Sequence, residues 1–420
     1  MNNDNPHTPS GYKPSPLGLI PEDWEVKRLG EVCTFLRTNT LSRNQLNDTD
    51  GEVRNIHYGD VLKKYPSIID VRKQSIPFVN QEDYKESMND FIEDGDVVLA
   101  DTAEDETVGK ACEIANVGSE KILSGLHTML IRPQKGLFSP WFLGYQVNSV
   151  SYRKQLNALI QGIKVCSLGK QAIANTYFAI PPFPEQQNIV SVLSLWDTAI
   201  AKQTALIEQL TLRKRGLMQQ LLKGKKRLKG FSGEWKEVRL GDVFDERNET
   251  NCDNLPLLSI TGDKGVIYQS ESDKRDISNE DKSKYKRICP NDIGYNTMRM
   301  WQGRSALSEL EGIVSPAYTI VTPKKSIDVR FMAMLIQQPR IVYSFWTHSQ
   351  GLVSDTLNCK YPDFCQVKVV IPSKEEQTAI ADFFVVIDKE IDTQKQKLAA
   401  MQEQKKGLMQ VLLTGKRRIL

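Results

Sequence analysis

The segment 298–304 contains the side chains best suited to recognise another molecule by hydrogen bonding. It follows a predicted strand and places two arginines, a glutamine and a tryptophan within seven residues. Arginine can donate two hydrogen bonds to guanine, and glutamine can pair with adenine, in the major groove of duplex DNA. The alternative is a structural loop whose arginines form salt bridges. Candidate base contacts in this half of the chain are Arg299, Trp301, Gln302 and Arg304, together with Lys264.

The first half of the chain offers a more mixed set of polar residues. A basic and aromatic turn spans Arg54 to Lys64, and the segment 102–110 stands where the second half has 298–304. That segment contains Glu104, Asp105 and Glu106, which could accept hydrogen bonds from cytosine amines but are more simply solvent-facing. Arg37 to Asn39 and Arg247 with Asn248 recur at matching places, as readout or phosphate contacts. The candidates are Arg37, Asn39, Arg54, His57, Tyr58, Lys63, Lys64, Thr102, Lys110, Lys164, Arg247 and Asn248.

No segment of the sequence predicts a catalytic centre. The phosphate-binding pattern GxxxxGK[ST] is absent, so ATP-driven work is not supported. Ile180-Pro-Pro-Phe183 resembles the motif of amino-methyltransferases, but isoleucine replaces the polar residue that must hold the target amine. Pro362-Asp363 lacks the second acid and the spacing of a nuclease metal site. We therefore predict a protein without a metal or catalytic residues of its own.

Positive charge concentrates in one part of the chain. The net charge is only +3, yet residues 181–229 carry 9 basic and 3 acidic side chains. Such a concentration indicates a phosphate-bearing or acidic partner, and a solvated basic face is the alternative. The candidate partner or phosphate contacts are Arg213, Lys214, Arg215, Lys225, Lys226, Arg227, Lys405, Lys406 and Lys416.

Composition indicates a cytoplasmic globular protein with more than one domain. The chain has 420 residues, of which 40% are hydrophobic, and a single core rarely grows to that length. No long apolar run and no secretory signal pattern are found. The seven cysteines are odd in number, and none forms a CxxC pair. Reduced thiols are therefore expected instead of a disulfide framework or a zinc site.

Two apolar stripes with alternating spacings of four and three residues predict long coiled-coil helices. The first runs from Ile189 to Leu221, and the second repeats it 191 residues later, from Ile380 to Leu412. The polar interruptions repeat as well: Gln203 matches Gln394, and Lys214 matches Lys405. The two helices are therefore predicted to pack on each other within one chain, with these polar positions fixing their register.

The segments before the stripes are also duplicated. Trp24 and Leu29 have counterparts in Trp235 and Leu240, 211 residues later. Each half reads as short strands, a helix (140–156 in the first half and 329–345 in the second) and a Gln-Gly turn. The predicted fold is α+β: two mixed α/β domains separated by two long helices in an antiparallel coiled coil, with an internal pseudo-two-fold repeat. The predicted segments are a flexible leader (1–19), a first domain (20–180), a first helical region (181–229), a second domain (230–370) and a second helical region (371–420).

These repeated motifs resemble the specificity subunit of type I restriction-modification systems from Leu17 to Leu420. The resemblance is carried by Leu17-Gly-Leu-Ile-Pro-Glu-Asp-Trp24, by Pro184-Glu-Gln-Gln187 and by Gly216-Leu-Met-Gln-Gln-Leu-Leu222. The second copy has Ile371-Pro372, Glu375-Glu-Gln377 and Gly407-Leu-Met-Gln-Val-Leu-Leu413. Each motif alone is moderately specific, and their repetition in the same order is strongly so.

The resemblance implies a non-catalytic subunit whose two domains are target recognition domains, each of which reads half of a bipartite site in double-stranded DNA. Its helices would set the spacer and dock two modification (methyltransferase) subunits, and restriction (endonuclease and translocase) subunits would join that core. S-adenosylmethionine, ATP and magnesium would be bound by these partners and not by this chain. A coiled-coil scaffold without DNA specificity remains the alternative.

Overall fold

The computed structural model describes residues 9–85, 90–162, 164–262, 264–272, 276, 278–351 and 357–419. It divides into two compact units. The first unit comprises Met1–Thr204 with Lys397–Leu420, and the second unit comprises Ala205–Gln396. Each unit therefore contains one mixed α/β body together with parts of both long helices.

The first unit is built on a five-stranded and a four-stranded sheet, with strand orders β4-β13-β9-β11-β7 and β12-β6-β8-β5. Its strands are β1 (Tyr12–Ser15), β2 (Gly18–Pro21), β3 (Glu25–Arg28), β4 (Cys33–Leu36), β5 (Leu46–Asn47), β6 (Val53–Ile56), β7 (Ile68–Asp70), β8 (Phe78–Val79), β9 (Val97–Ala100), β10 (Thr102–Ala103), β11 (Ala111–Ala115), β12 (Lys121–Ser124), β13 (Thr128–Pro133), β14 (Cys166–Ser167) and β15 (Tyr177–Ile180). Its short helices are α1 (Leu29–Val32), α2 (Tyr58–Lys63), α3 (Phe142–Val147), α4 (Val150–Asn157) and α5 (Lys170–Ala174).

The long helices are α6 (Phe183–Leu221) and α11 (Lys374–Leu412). The remaining helices, in the second unit, are α7 (Leu240–Val243), α8 (Val329–Ile336), α9 (Pro339–His348) and α10 (Tyr361–Gln366). The strands of that unit are β16 (Lys236–Arg239), β17 (Phe244–Arg247), β18 (Leu258–Ile260), β19 (Val266–Tyr268), β20 (Lys286–Ile288), β21 (Ile293–Asn296), β22 (Ser305–Leu307), β23 (Gly312–Val314), β24 (Tyr318–Pro323) and β25 (Lys368–Ile371). Its main sheet has the order β17-β24-β21-β22.

The two main sheets share a central arrangement of strands. In the first unit β13 lies between β4 and β9 and is antiparallel to both. In the second unit β24 lies between β17 and β21, again antiparallel to both. The buried strand β9 consists of Val97, Val98, Leu99 and Ala100, as expected for a strand covered on both faces. The duplication predicted from the sequence is therefore present in the fold.

The long helices run antiparallel within each unit, as predicted. In the first unit Ile189 and Leu193, near the start of α6, share a buried cluster with Leu412 at the end of α11. In the second unit Leu221, at the end of α6, shares a cluster with Ile380 at the start of α11. Apolar stripes face each other in both units, because each stripe position falls on one side of its helix.

Two details of the predicted secondary structure are wrong. The single helix expected over 140–156 is two helices, because Ser149 caps a new helix by accepting a hydrogen bond from the Tyr152 amide. The helix expected over 329–345 is likewise divided, since Pro339 lacks an amide hydrogen and begins α9.

The expected flexible leader is also wrong where the structure describes it. Strands β1 and β2 form an antiparallel hairpin over residues 12–21. The Tyr12 hydroxyl donates to the Gly415 carbonyl oxygen at 2.9 Å, within the first unit. The hairpin is therefore tied to the end of the chain by a tertiary hydrogen bond. Residues 1–8 of the predicted leader lie outside the described part.

Candidate nucleic-acid interface

The loop between β21 and β22 in the second unit presents the residues predicted to read bases. A single 3-10 turn, Met300–Gln302, is anchored by the fully buried Met300 side chain. Gly303 ends the turn with φ of 75°, in the left-handed region that favours glycine. The buried anchor and the glycine fix the loop, and the side chains of Arg299, Gln302 and Arg304 remain exposed.

These exposed side chains surround one cleft of about 580 Å³, which we call the recognition cleft. Its polar lining consists of Lys264, Asn296, Arg299, Gln302, Arg304 and Tyr318, with Thr261 and Ser272. Within the described residues, no carboxylate lies within 4.0 Å of either arginine side chain. Among the described residues the two arginines therefore have no ion pair, and both guanidinium groups line the recognition cleft.

Two neighbouring residues determine how the recognition cleft is shaped. A side chain at Gly262 would collide with the Arg304 guanidinium group, so glycine permits the close approach. Trp301 is half-buried, and its indole nitrogen donates to the Met298 carbonyl oxygen at 3.0 Å. The indole N–H therefore stabilises the loop, and the base contact expected of Trp301 stays a prediction.

The loop after β9 occupies the equivalent position in the first unit. The Asp101 amide donates to the His127 carbonyl oxygen at 3.1 Å, at the start of β13. The Thr297 amide donates to the Ala317 carbonyl oxygen at 3.2 Å, at the start of β24. Because these hydrogen bonds join the same pair of strands in each unit, the predicted correspondence between segments 102–110 and 298–304 is confirmed.

A polar and aromatic cluster lies beside this loop in the first unit. The Thr102 hydroxyl donates to the Asp101 carboxylate at 2.8 Å and lies 3.3 Å from His127 Nδ1. The Tyr58 and His127 rings meet edge to face, with centroids 5.3 Å apart. His127, whose side chain is about half exposed, was not predicted from the sequence. Its position directly before a strongly apolar strand is the signal that could have identified it.

The basic candidates of the first unit differ in whether their side chains are already hydrogen-bonded within the protein. Lys110 Nζ donates to the Leu62 carbonyl oxygen at 2.9 Å, and Lys64 Nζ donates to the Ser75 carbonyl oxygen at 2.7 Å. Exposed candidates in the two units are Arg37, Lys63, Lys164 and Asn248. The Arg37 side chain is 88% exposed and lies at the edge of the sheet, 3.4 Å from Asp90.

Three candidates of the first unit have structural roles in place of the predicted ones. Asn39 is buried and donates to the Asn55 side chain at 2.7 Å, so it cannot reach a base. Arg54 lies over the Phe78 ring and binds Glu120 at 2.7 Å. His57 is buried as the N-cap of α2, and burial lowers its pKa.

Arg247 is a further correction, in the second unit. Its guanidinium group binds the buried Asp292 carboxylate at 2.7 Å, and its side chain is only 19% exposed. It also lies 2.5 Å from Glu249. Arg247 therefore stabilises the sheet and does not contact bases. The apparent match to Arg37 is off by one residue, because Asn248 is the residue that follows β17 as Arg37 follows β4.

The candidate partner contacts on the long helices fall into two groups. Lys214 forms a close ion pair with Asp388 in the second unit, and Lys405 forms one with Asp197 in the first. Arg227 binds Glu376, which is 2% exposed, so these three cations are not open to a partner as predicted. Lys406 lies 3.7 Å from Glu403. The exposed candidates are Arg213, Arg215, Lys225, Lys226 and Lys416.

An equivalent buried ion pair in the first unit was missed. Arg418 binds Glu185 at 2.6 Å and lies over the Trp24 ring, as Arg227 lies over Trp235. The hydrogen bond with Glu185 raises the Arg418 pKa further above its usual range. The two arginines are 191 residues apart, the same offset as the stripes, which is the signal that could have revealed the pair.

The cysteines have no disulfide partners. Burial raises the pKa of Cys33, Cys112 and Cys359 to about 12, so these thiols remain protonated at neutral pH. In the part of the chain that the structure describes, no group of three or more metal-ligating side chains is found. Nor does any described helix have the length and apolar character needed to cross a membrane.

Comparison with known proteins identifies the family. The model of the type I restriction modification DNA specificity domain matches residues 21–212 and 232–403. A putative type I restriction enzyme specificity subunit, MjaX, of Methanocaldococcus jannaschii is 26% identical over 437 residues and covers 97% of each chain. The MjaVIII specificity subunit of the same organism is 24% identical and covers 95% of this chain and 94% of its own.

Solved structures agree with this assignment at the level of fold. A chain from a structure on complex assembly and conformational transition of the type I restriction-modification system has a TM-score of 0.58 at 17% identity, covering 95% of this chain and 99% of that one. The S subunit from M. genitalium has a TM-score of 0.50 at 12% identity, covering 93% and 96%. With two matched domains on two similar units, this chain belongs to the type I restriction-modification DNA specificity family.

Proposed function

We propose that each unit reads one half of a bipartite target in double-stranded DNA. The observation that carries the proposal is the recurrence of one loop position with different chemistry in the two units. In the second unit that position has Arg299, Gln302 and Arg304 around an open cleft. In the first unit it has Thr102 beside His127. Two related readers with different side chains suit a target whose halves have different sequences.

The base preference of the second unit follows from its donors. The two arginines have no carboxylate partner among the described residues and favour guanine, whose O6 and N7 accept from one guanidinium group, and Gln302 favours adenine. Lys264 lies at the same cleft and suits a phosphate oxygen. The second half-site is therefore proposed to contain guanine.

Partner docking is the other part of the proposal. Exposed cations on the long helices, Arg213 and Arg215 among them, provide contacts for two modification subunits or for DNA phosphates. Restriction subunits join the modification subunits. S-adenosylmethionine, ATP and magnesium are bound by these partners, and this chain contributes recognition without catalysis.

A domain exchange tests the bipartite reading. Residues 20–180 are replaced by the first domain of another family member, the chain is co-expressed with its modification subunits, and methylated sites are sequenced. We expect a split motif in which only one half changes. A contiguous motif, or a change in both halves, contradicts the proposal.

The salt dependence of DNA binding distinguishes this proposal from the alternative of a protein scaffold without DNA specificity. Phosphate contacts release counterions, so the affinity of the assembled complex for duplex DNA should fall steeply as salt rises. Filter binding between about 50 and 200 mM salt measures that slope. A complex that assembles but does not bind DNA at any of these salt concentrations would favour a protein scaffold.

A further inference from the structure

A second cleft of the second unit is cationic and open. It has a volume of about 820 Å³ and lies where the end of α6 meets α9 and β25. Its basic lining consists of Lys223, Lys225, Arg239, Arg340 and Lys368, with His348. We call it the cationic cleft.

Most of the charge in the cationic cleft is uncompensated. Lys368 lies 2.8 Å from Glu237, on a surface where both side chains are more than half exposed. For the other four cations, no described carboxylate lies within ion-pair distance. An anionic ligand would therefore gain charge pairing with these four cations without displacing a described salt bridge.

The floor of the cationic cleft is apolar. Leu222, Ile341 and Val369 are buried there, Trp235 is half-buried, and Val370 is 43% exposed. A sugar-phosphate backbone has no apolar side chains to place on such a floor. A polypeptide segment that carries both acidic and apolar side chains matches the floor and the rim together.

The first unit contains the equivalent cleft, of about 670 Å³, and a segment of this chain forms one of its walls. Leu413, Thr414 and Lys416 line it, at the offset of 191 from Leu222, Lys223 and Lys225. The other wall is the hairpin of β1 and β2, which contributes residues 16–20. The hydrogen bond from Tyr12 to the Gly415 carbonyl holds the hairpin there. In the described residues of the second unit, no hairpin precedes β16.

Three residues beside the hairpin are neutral where the cationic cleft is basic. Thr414 and Tyr177 stand 191 residues from Lys223 and Lys368. Ser151 stands 189 residues from Arg340, the offset that relates helices α4 and α9. The first unit therefore has neutral residues at three of the basic positions of the cationic cleft, and it keeps a basic residue, Lys416, at the position of Lys225.

We propose that the cationic cleft binds an acidic segment of a partner protein, in the place that the hairpin occupies in the first unit. The segment has alternating acidic and apolar residues, so that one side meets the basic rim and the other meets the floor. This proposal is independent of DNA reading by either unit.

The test uses the full chain and a dye-labelled 12-residue peptide in which Glu alternates with Leu. The variant Lys223→Thr, Arg340→Ser, Lys368→Tyr introduces the residues that the first unit has on an equivalent backbone. Fluorescence anisotropy is expected to show binding to the unaltered chain and affinity about tenfold lower for this variant. Lys284→Glu, at an exposed site of the same unit outside the cleft, should leave the affinity unchanged.

Two further measurements distinguish an acidic peptide from other ligands of the cationic cleft. A peptide with Lys in place of Glu should not bind, and the DNA affinity of the assembled complex should be equal for the triple variant and the unaltered chain. Equal binding of the acidic peptide to both proteins, or no binding to either, overturns the proposal. A loss of DNA affinity in the triple variant overturns it as well, in favour of a phosphate-binding cleft. Circular dichroism of each variant checks that the fold is retained.

Discussion

The second unit carries Arg299 and Arg304 in the loop after its strand β21, whereas the first unit carries Glu104, Asp105 and Glu106 in the loop after β9. The strands that hold these loops pair in the same order and direction in both units. Opposite charges therefore occupy one position of one framework. Loop chemistry has diverged after the duplication, and the strand pairing that positions the loops has not.

A buried carboxylate shows how the framework itself tolerates change. Asp96, just before β9, binds Arg132 of β13 at 2.7 Å. Asp292, just before β21, binds Arg247 of β17, also at 2.7 Å. Both acids are 1% exposed. A guanidinium group lies beside the acid in both units, but it comes from the adjacent strand β13 in the first unit and from β17, one strand farther away, in the second.

The largest effect is expected from removing these acids. Asp96→Ala and Asp292→Ala each leave a partly buried arginine without its buried carboxylate partner, with only the more exposed Glu93 or Glu249 remaining, which lowers the free energy of unfolding by about 3 kcal/mol. Urea denaturation of the two variants measures the change. Similar losses in both units would support one shared role for the acid.

An exchange of arginines makes that comparison sharper. Leu36 is the last residue of β4, as Arg247 is of β17. Arg132→Thr should destabilise the protein by a similar amount, and adding Leu36→Arg should restore most of the loss. If the double variant is no more stable than Arg132→Thr, the two strands are not interchangeable.

Helices α3 and α8 are expected to respond differently to pH, because the acid that accepts from the first turn of each helix has a pKa shifted in the opposite direction. The Glu113 carboxylate accepts from the Trp141 and Gly144 amides at 2.5 and 2.7 Å, and burial raises its pKa to about 7. In the second unit Asp328 caps α8. Burial opposes ionisation of Asp328, but hydrogen bonding to Arg330 lowers its pKa overall.

The direction follows from proton binding. Folded Glu113 holds its proton more tightly than the unfolded chain, whose value is 4.5, so its contribution is complete below that pH and falls as pH rises towards 7. We expect the protection of α3 to decrease by about 2 kcal/mol between pH 5 and 8. Asp328 contributes above its unfolded pKa and loses its effect only as pH falls, so α8 should be constant in this range.

Hydrogen-exchange mass spectrometry, corrected for the intrinsic pH dependence of exchange, follows α3 and α8 separately. Glu113→Gln should remove the pH dependence of α3 while keeping an acceptor for one amide. A pH-independent α3 in the unaltered protein would show that the two amide hydrogen bonds outweigh burial.

The repeated framework can be predicted from the sequence, because apolar residues that recur at a constant offset indicate which positions are buried in both halves. Ile189 and Ile380 keep the same offset as Leu221 and Leu412, and a copied stripe has few ways to be buried other than by pairing. Strand β9 and helix α11 follow from the same local patterns. The hairpin over 12–21 was missed, since its stability comes from contacts such as Tyr12 with Gly415, which are distant in sequence.

Candidate site residues were predicted less well, because residue type does not report burial. Asn39 and Arg247 have the chemistry of base contacts but are held by Asn55 and Asp292. The recognition cleft was predicted through Arg299, Gln302 and Arg304, which lie together in one short loop. Gly262 joins them from a different part of the chain, and no local pattern could have predicted that approach.

The smallest effect is expected from substitutions in the recognition cleft. These substitutions test whether the two units read different half-sites. Arg304→Ala removes donors suited to one guanine, which reduces discrimination at that base by about 1–3 kcal/mol. Gly262→Ala displaces the same guanidinium group and should relax base discrimination at the same position, whereas Arg299→Ala should relax it at a different one.

Sequencing of methylated sites in cells that carry the modification subunits measures the base preference at each position. Relaxation should be confined to one half-site, because the other unit has no arginine in its equivalent loop. A uniform loss of methylation at all sites would instead assign these arginines to phosphates, since phosphate contacts carry no base preference.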